Sequence, residues 1–117
     1  GLAPMDGTRQ LARLLVDRIH GGALEEAGLE VLAEEFGLSS RQVRRVITAE
    51  FGVTPTAIAR TRRLLLAKQL LTDSDLKLVD VAFASGFADQ SHLTRHFKRT
   101  FGMTPGHWRQ LCAASMA

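Results

Sequence analysis

The chain has 117 residues, 45% of them hydrophobic and 23% charged, a length that suits one compact domain or two very small ones. Its apolar residues come in threes and fours rather than in a bilayer-spanning run, and its first residues lack the order of a cleaved signal, so membrane and secreted classes are set aside and a cytoplasmic location is expected. The net charge of +3 is uneven: residues 1–35 hold three arginines against seven acids, whereas residues 36–117 hold twelve Lys/Arg against five acids, so the second stretch is either a surface for a polyanion or a solvated basic face.

Helical periodicity dominates and nothing shows the alternation of a strand, so the expected fold class is all-α. Residues 1–7 read as a tail or linker, and the natural protein is expected to continue upstream. A first unit then occupies residues 8–53. It opens with "TRQLARLLVDRIHGG", in which Thr8 caps a helix whose inner stripe is Leu11, Leu14, Leu15, Arg18 and Ile19. The short "LEVLAEEFG" helix stops at Gly37. "RQVRRVITAEFG" follows, with Val43, Val46, Ile47 and Phe51 inward and a stop at Gly52.

A connecting helix is predicted over 54–72, running from about Pro55 to Leu71. Its Thr-Pro start is mechanical: a Thr hydroxyl caps free N–H groups, and Pro suits the first helical position, where an N–H has no partner. The second unit, 73–117, repeats the order. "LKLVDVAFASG" ends at Gly86, "DQSHLTRHFKRTF" turns Leu93, Phe97 and Phe101 inward, and Thr104-Pro105 starts a last helix. About seven helices result, as two helix-turn-helix units joined by a long central helix.

The copies align at an offset of fifty through Val43/Leu93, Phe51/Phe101, Gly52/Gly102 and Pro55/Pro105, and at forty-nine through Ala33/Ala82 and Gly37/Gly86. The second turn is therefore one residue longer. A small residue where two helices cross, a Gly at the turn and an apolar anchor beyond it form the pattern of a helix-turn-helix, and two in tandem are too few for a solenoid. At 100° per residue from Val43, Arg41, Arg45 and Thr48 point away from the core, with Gln42 and Arg44 beside them. From Leu93, Ser91, Arg95 and Arg99 do so, flanked by His92 and Lys98. No acid occurs between 41 and 49 or between 90 and 100. Such faces suit base edges in a major groove, and the bland reading is a solvated helix surface. A connecting helix of about 17 residues, about 25 Å long, would set the two reading helices near one DNA turn of ~34 Å apart.

The run "GFADQSHLTRHFKRTFGMTPGHWR" closely resembles the C-terminal signature of AraC/XylS-type transcription regulators, and the resemblance extends over about residues 9–112. It implies a seven-helix DNA-binding domain with base contacts from Arg41, Arg44 and Arg45 in the first unit and from Ser91, His92 and Arg95 in the second. Phosphate contacts are assigned to Ser40, Gln42, Thr48, Gln90, Lys98 and Arg99. The stretches "GGALEEAGLEVLAEEFGLSSRQVRR" and "GVTPTAIARTRRLLLAKQLLTDSDLKLVDVAFASGF" are most similar to the Ada-type alkylation-response branch, although the cysteine cluster that accepts methyl groups there is not in this sequence. The expected partners are double-stranded DNA, RNA polymerase and an N-terminal sensing domain outside these residues, with no membrane partner.

Other candidates read more plainly. His92 and His96 have the spacing of a zinc pair, but position 93 is Leu where a metalloprotease helix needs Glu, and no third ligand is at hand. Cys112, the single cysteine, has no neighbour to activate it and is assigned to packing, as is Trp108. No metal and no cofactor are expected, and no acid/base constellation or phosphate loop supports an enzyme. "ARTRRL" is either a phosphate-contacting patch or a solvated face. The competing function is a helical interaction module whose basic face meets an acidic protein.

Overall fold

The computed structural model describes residues 3–116, which form eight α-helices and no strand. In order they are α1 (Ala3–His20), α2 (Ala23–Glu26), α3 (Gly28–Glu35), α4 (Ser40–Phe51), α5 (Pro55–Asp73), α6 (Leu78–Ala84), α7 (Gln90–Phe101) and α8 (Pro105–Met116). The chain divides into two compact units, one up to Arg60 and the other from Thr61, and the division falls inside α5.

In the first unit, Leu15 and Ile19 of α1, Leu32 and Ala33 of α3, Val43 and Ile47 of α4 and Ala59 of α5 form a buried cluster. Burying each of the larger aliphatic side chains contributes about 1.5–3 kcal/mol. The reading of α1 needs correction at three points. It begins at Ala3, so residues 3–7 are helical rather than a tail and Thr8 lies within the helix; Pro4 does not prevent this, because the first turn has no N–H bond to lose. Leu14 is 50% exposed, and its place inside is taken by Ala12, which is fully buried. Arg18 is not part of the inner stripe but reaches out to Glu35, donating from Nη2 at 2.7 Å and from Nε at 3.1 Å. The extra helix, α2, is one turn of good helix formers between Gly22 and Gly28.

The second unit gathers Leu64, Ala67 and Leu71 of α5, Val81 and Ala82 of α6, Phe87, and Leu93 and Phe97 of α7. Trp108 is half-buried at the edge of this cluster and donates from Nε1 to the Thr72 hydroxyl at 3.3 Å. The end of α5 is closed by Arg109, whose guanidinium donates to the carbonyls of Leu71, Ser74 and Leu76. Cys112 is half-buried, with its Sγ 3.7 Å from the Thr72 hydroxyl.

Both helix-turn-helix turns are built from the same hydrogen bonds. Gly37 N–H donates to Glu34 O at 3.0 Å and Leu38 N–H to Ala33 O at 2.9 Å, while Gly86 N–H donates to Phe83 O at 3.1 Å and Phe87 N–H to Ala82 O at 2.9 Å. This pair of bonds satisfies the last carbonyls of α3 and α6 and requires a left-handed residue just past each helix. Gly37 has φ +69° and Gly86 φ +93°, which only glycine adopts without strain. Ala88 is the added residue of the second turn, between Phe87 and Asp89.

Candidate nucleic-acid interface

Each unit presents one helix whose ends are fixed and whose outer face is basic. In the first, Ser39 caps α4: its Oγ accepts Gln42 N–H at 3.1 Å, and the Gln42 side chain accepts Ser39 N–H at 2.8 Å. Two free backbone donors are thereby satisfied reciprocally. Val43 and Ile47 face the core with no exposure, and Arg41, Arg44, Arg45 and Thr48 are exposed around them. Ser40 is half-buried. Gln42 keeps only its amide N–H groups for a ligand, because its oxygen is held in the cap. Thr48 donates its hydroxyl to Val53 O at 3.4 Å, so its donor is turned to the loop just past the end of α4.

The inward placing of Phe51 is a further correction, since it is 46% exposed. Its counterpart Phe101 is half-buried, 4.6 Å from the Phe97 ring and 4.7 Å from Lys68 Nζ, which also lies 4.5 Å from the Trp108 ring. The repeat puts Ile58 where Trp108 stands, so the first unit lacks the indole that Lys68 lies over in the second.

In the second unit Asp89 caps α7, its Oδ1 accepting His92 N–H at 2.8 Å. Leu93 and Phe97 are fully buried, and Gln90, Ser91, Arg95, Lys98 and Arg99 are exposed. His92 is half-buried, its ring edge-on to His96 at 5.4 Å; His96 stacks on Phe87 at 6.3 Å, and the Arg63 guanidinium lies 5.8 Å from the Phe87 ring. These contacts fix one side of His92. Among the described residues no group of three or more His, Cys, Asp or Glu is gathered as a metal would require, and no helix is long and apolar enough to cross a membrane.

The cations of these faces are not used by the protein itself. The described ion pairs join Arg18 to Glu35 and Arg9 to Glu50, and although Glu50 stands on α4, neither pair takes up a cation of these faces. Arg41, Arg44, Arg45, Arg95, Lys98 and Arg99 make no ion pair or side-chain hydrogen bond among the described residues. The sequence reading missed the two caps, Ser39 and Asp89, although the Ser-x-x-Gln spacing of the first is a legible signal.

Comparison with known proteins fits this geometry. A helix-turn-helix domain family matches residues 32–111. The chain is similar to the HTH-type transcriptional regulator ExsA of Pseudomonas aeruginosa, 36% identical over 110 residues that cover 91% of this chain and 40% of ExsA. It is also similar to the HTH-type transcriptional activator RhaS of Escherichia fergusonii, 37% identical over 92 residues that cover 79% of this chain and 33% of RhaS. The chain thus spans two fifths or less of these relatives' length. Among solved structures, a probable AraC family transcriptional regulator from Rhodopseudomonas palustris superposes with a TM-score of 0.79 at 26% identity, over 86% of this chain and 95% of that one. The DNA-binding domain of AdpA, solved in complex with a target DNA, gives a TM-score of 0.74 at 30% identity, over 86% of this chain and 94% of that one. With the repeated turns, the capped basic helices and the family match over most of its length, the chain belongs to the AraC/XylS-type family of helix-turn-helix transcription regulators.

Proposed function

We propose that the chain binds duplex DNA in a sequence-specific manner, with α4 and α7 entering the major groove, as the DNA-binding part of a bacterial transcription regulator. The observation that carries this is the set of six exposed cations on two rigidly capped helices, none of them engaged by the protein's own acids. Arg41, Arg44, Arg45, Ser91, His92 and Arg95 are the base-reading side chains, since an arginine fork matches guanine O6 and N7. Ser40, Gln42, Thr48, Gln90, Lys98 and Arg99 hold the sugar-phosphate backbone, Gln42 through its amide N–H groups and Thr48 as the weakest of the six. The protein acts as a regulator rather than an enzyme, in the cytoplasm, and an N-terminal sensing domain and RNA polymerase are its further partners. Titration of native protein against its selected duplex and a scrambled duplex at several salt concentrations tests the reading. Log affinity falls linearly with log salt, by about 0.9 per phosphate neutralised, and the selected duplex binds at least about a thousandfold tighter than the scrambled one. An interaction module for an acidic protein predicts no such preference, and equal affinity for both duplexes would remove the DNA reading.

A further inference from the structure

The side chain at the third position of each candidate reading helix is held, by a different device in each unit. Gln42 and His92 are fifty positions apart, at the same place in the repeat. In the first unit the cap does the holding, because the Gln42 side chain accepts Ser39 N–H at 2.8 Å. In the second, Asp89 accepts the His92 N–H without a return bond from the imidazole among the described residues. What touches the His92 ring instead is a row of rings. It stands edge-on to His96 at 5.4 Å, and His96 is stacked on Phe87 at 6.3 Å with 27° between the planes. Phe87 is 6% exposed and belongs to the buried cluster, so the row is anchored at its inner end. Counted from Leu93, His96 lies about 60° and His92 about 100° to the same side of α7, which carries the row from the edge of the core out to the basic face. At the matching places the first unit has Leu38 and Val46, aliphatic side chains packed on its own core. The rings occur only in the unit whose third residue is an imidazole.

We propose that His96 is a positioning residue for DNA reading by the second unit: stacked on Phe87, its ring holds the His92 imidazole in one orientation toward the groove. The inference rests on the proposed base contact of His92. A neutral imidazole has a donor on one nitrogen and an acceptor on the other, and a half-turn of the ring puts carbon where each nitrogen stood. That torsion is broad and roughly two-fold for histidine. An unsupported His92 would present its polar edge for only part of the time, and binding would have to order it. A neighbouring ring that orders it beforehand lowers this cost, to the benefit of the sequence that His92 matches. The contact is one of rings, so another flat aromatic side chain at position 96 serves as well.

Four variants test this: His96→Val, which installs the side chain that the first unit has there, His96→Phe, His92→Ala and the double variant His92→Ala with His96→Val. Each is titrated against the selected duplex and a scrambled one. His96→Val is expected to weaken binding of the selected duplex by about threefold to tenfold, in line with the contribution of an aromatic pair, and to leave the scrambled duplex unaffected. His96→Phe keeps the ring and stays within about twofold of native. In the His92→Ala background, His96→Val has no further effect. Stability lost through His96→Val would weaken the His92→Ala protein as well, so this comparison separates positioning from folding. Equal losses with and without His92, or a His96→Phe loss as large as that of His96→Val, would overturn the inference. In the free protein, proton NMR should show contacts between the His92 and His96 rings; their absence would also overturn it and leave the proposed function standing. If native protein prefers no duplex, the proposed function falls and this inference falls with it.

Discussion

Arg95 and Lys98 are three residues apart on α7 and both are exposed, yet their directions from the buried Leu93 differ. Arg95 stands two residues on and faces away from the core, whereas Lys98, five residues on, is turned to one side. Arg95→Ala is expected to cost ~1–3 kcal/mol against the selected duplex and little against a scrambled one, while Lys98→Ala weakens both alike and lowers the salt slope by about one. A ratio of specific to nonspecific affinity left unchanged by Arg95→Ala would take base reading away from this face. The turn glycines make a second matched pair. An added Cβ at Gly37 meets nothing within 4 Å, so Gly37→Ala costs only the left-handed backbone, about 1–2 kcal/mol. At Gly86 the same Cβ stands 2.9 Å from Arg63 Cδ, so the arginine must also leave its place near Phe87. Urea unfolding should therefore show Gly86→Ala as the more destabilising of the two by about 1 kcal/mol; equal losses would mean that the Arg63 stem moves aside freely.

Helix α5 runs Pro55–Asp73 without a break, started by Thr54, whose Oγ1 accepts Ala57 N–H at 3.1 Å; Thr104 does the same for α8 with His107 N–H at 3.1 Å. Ala67 lies in the interior of α5 and is fully buried in the second unit's cluster. Ala67→Pro removes one helix hydrogen bond and drives the ring against the preceding turn, so a loss of about 3 kcal/mol or more is expected in thermal or urea unfolding. Unchanged stability would show that the helix tolerates a break at this position. These elements were legible because their signals are local. Gly37, Gly86, Thr54-Pro55 and Thr104-Pro105 act on the backbone within a few residues, whatever surrounds them. The facing of Leu93, Phe97, Val43 and Ile47 was legible as well, being set by period alone. Leu14 and Phe51 were misread because exposure depends on what the rest of the fold lays against a side chain. Phe101 has Phe97 and Lys68 against it, and no periodicity in "RQVRRVITAEF" says that Phe51 lacks an equivalent cover. The placement of the candidate reading side chains was legible in the acid-free face, and the Ser-x-x-Gln spacing signals the tie of Gln42 to its cap, but the bond of Thr48 to Val53 O was not legible, being a choice of rotamer.

Because the first and second units have separate cores and each carries its own capped basic helix, one chain holds two candidate reading surfaces. Linking two weak binding modules makes the second encounter intramolecular, so the affinity of the pair can exceed that of either unit by orders of magnitude without any new contact. The expected complex is therefore one chain per site, with no need for a second copy. Arg45 and Arg95 sit in different units and share no partner, which is the condition under which losses add to within about 0.5 kcal/mol. Arg45→Ala and Arg95→Ala should each cost ~1–3 kcal/mol of specific binding, and the double variant should lose their sum. The measurement is a titration of the three variants against the selected duplex, with stoichiometry from a band shift at protein concentrations well above Kd. If the double variant lost no more than the worse of the single ones, only one unit would be reading at a time. If two chains were required on the minimal site, the duplication within the chain would have to serve something other than a paired footprint, and dimerisation would become the source of reach along the DNA.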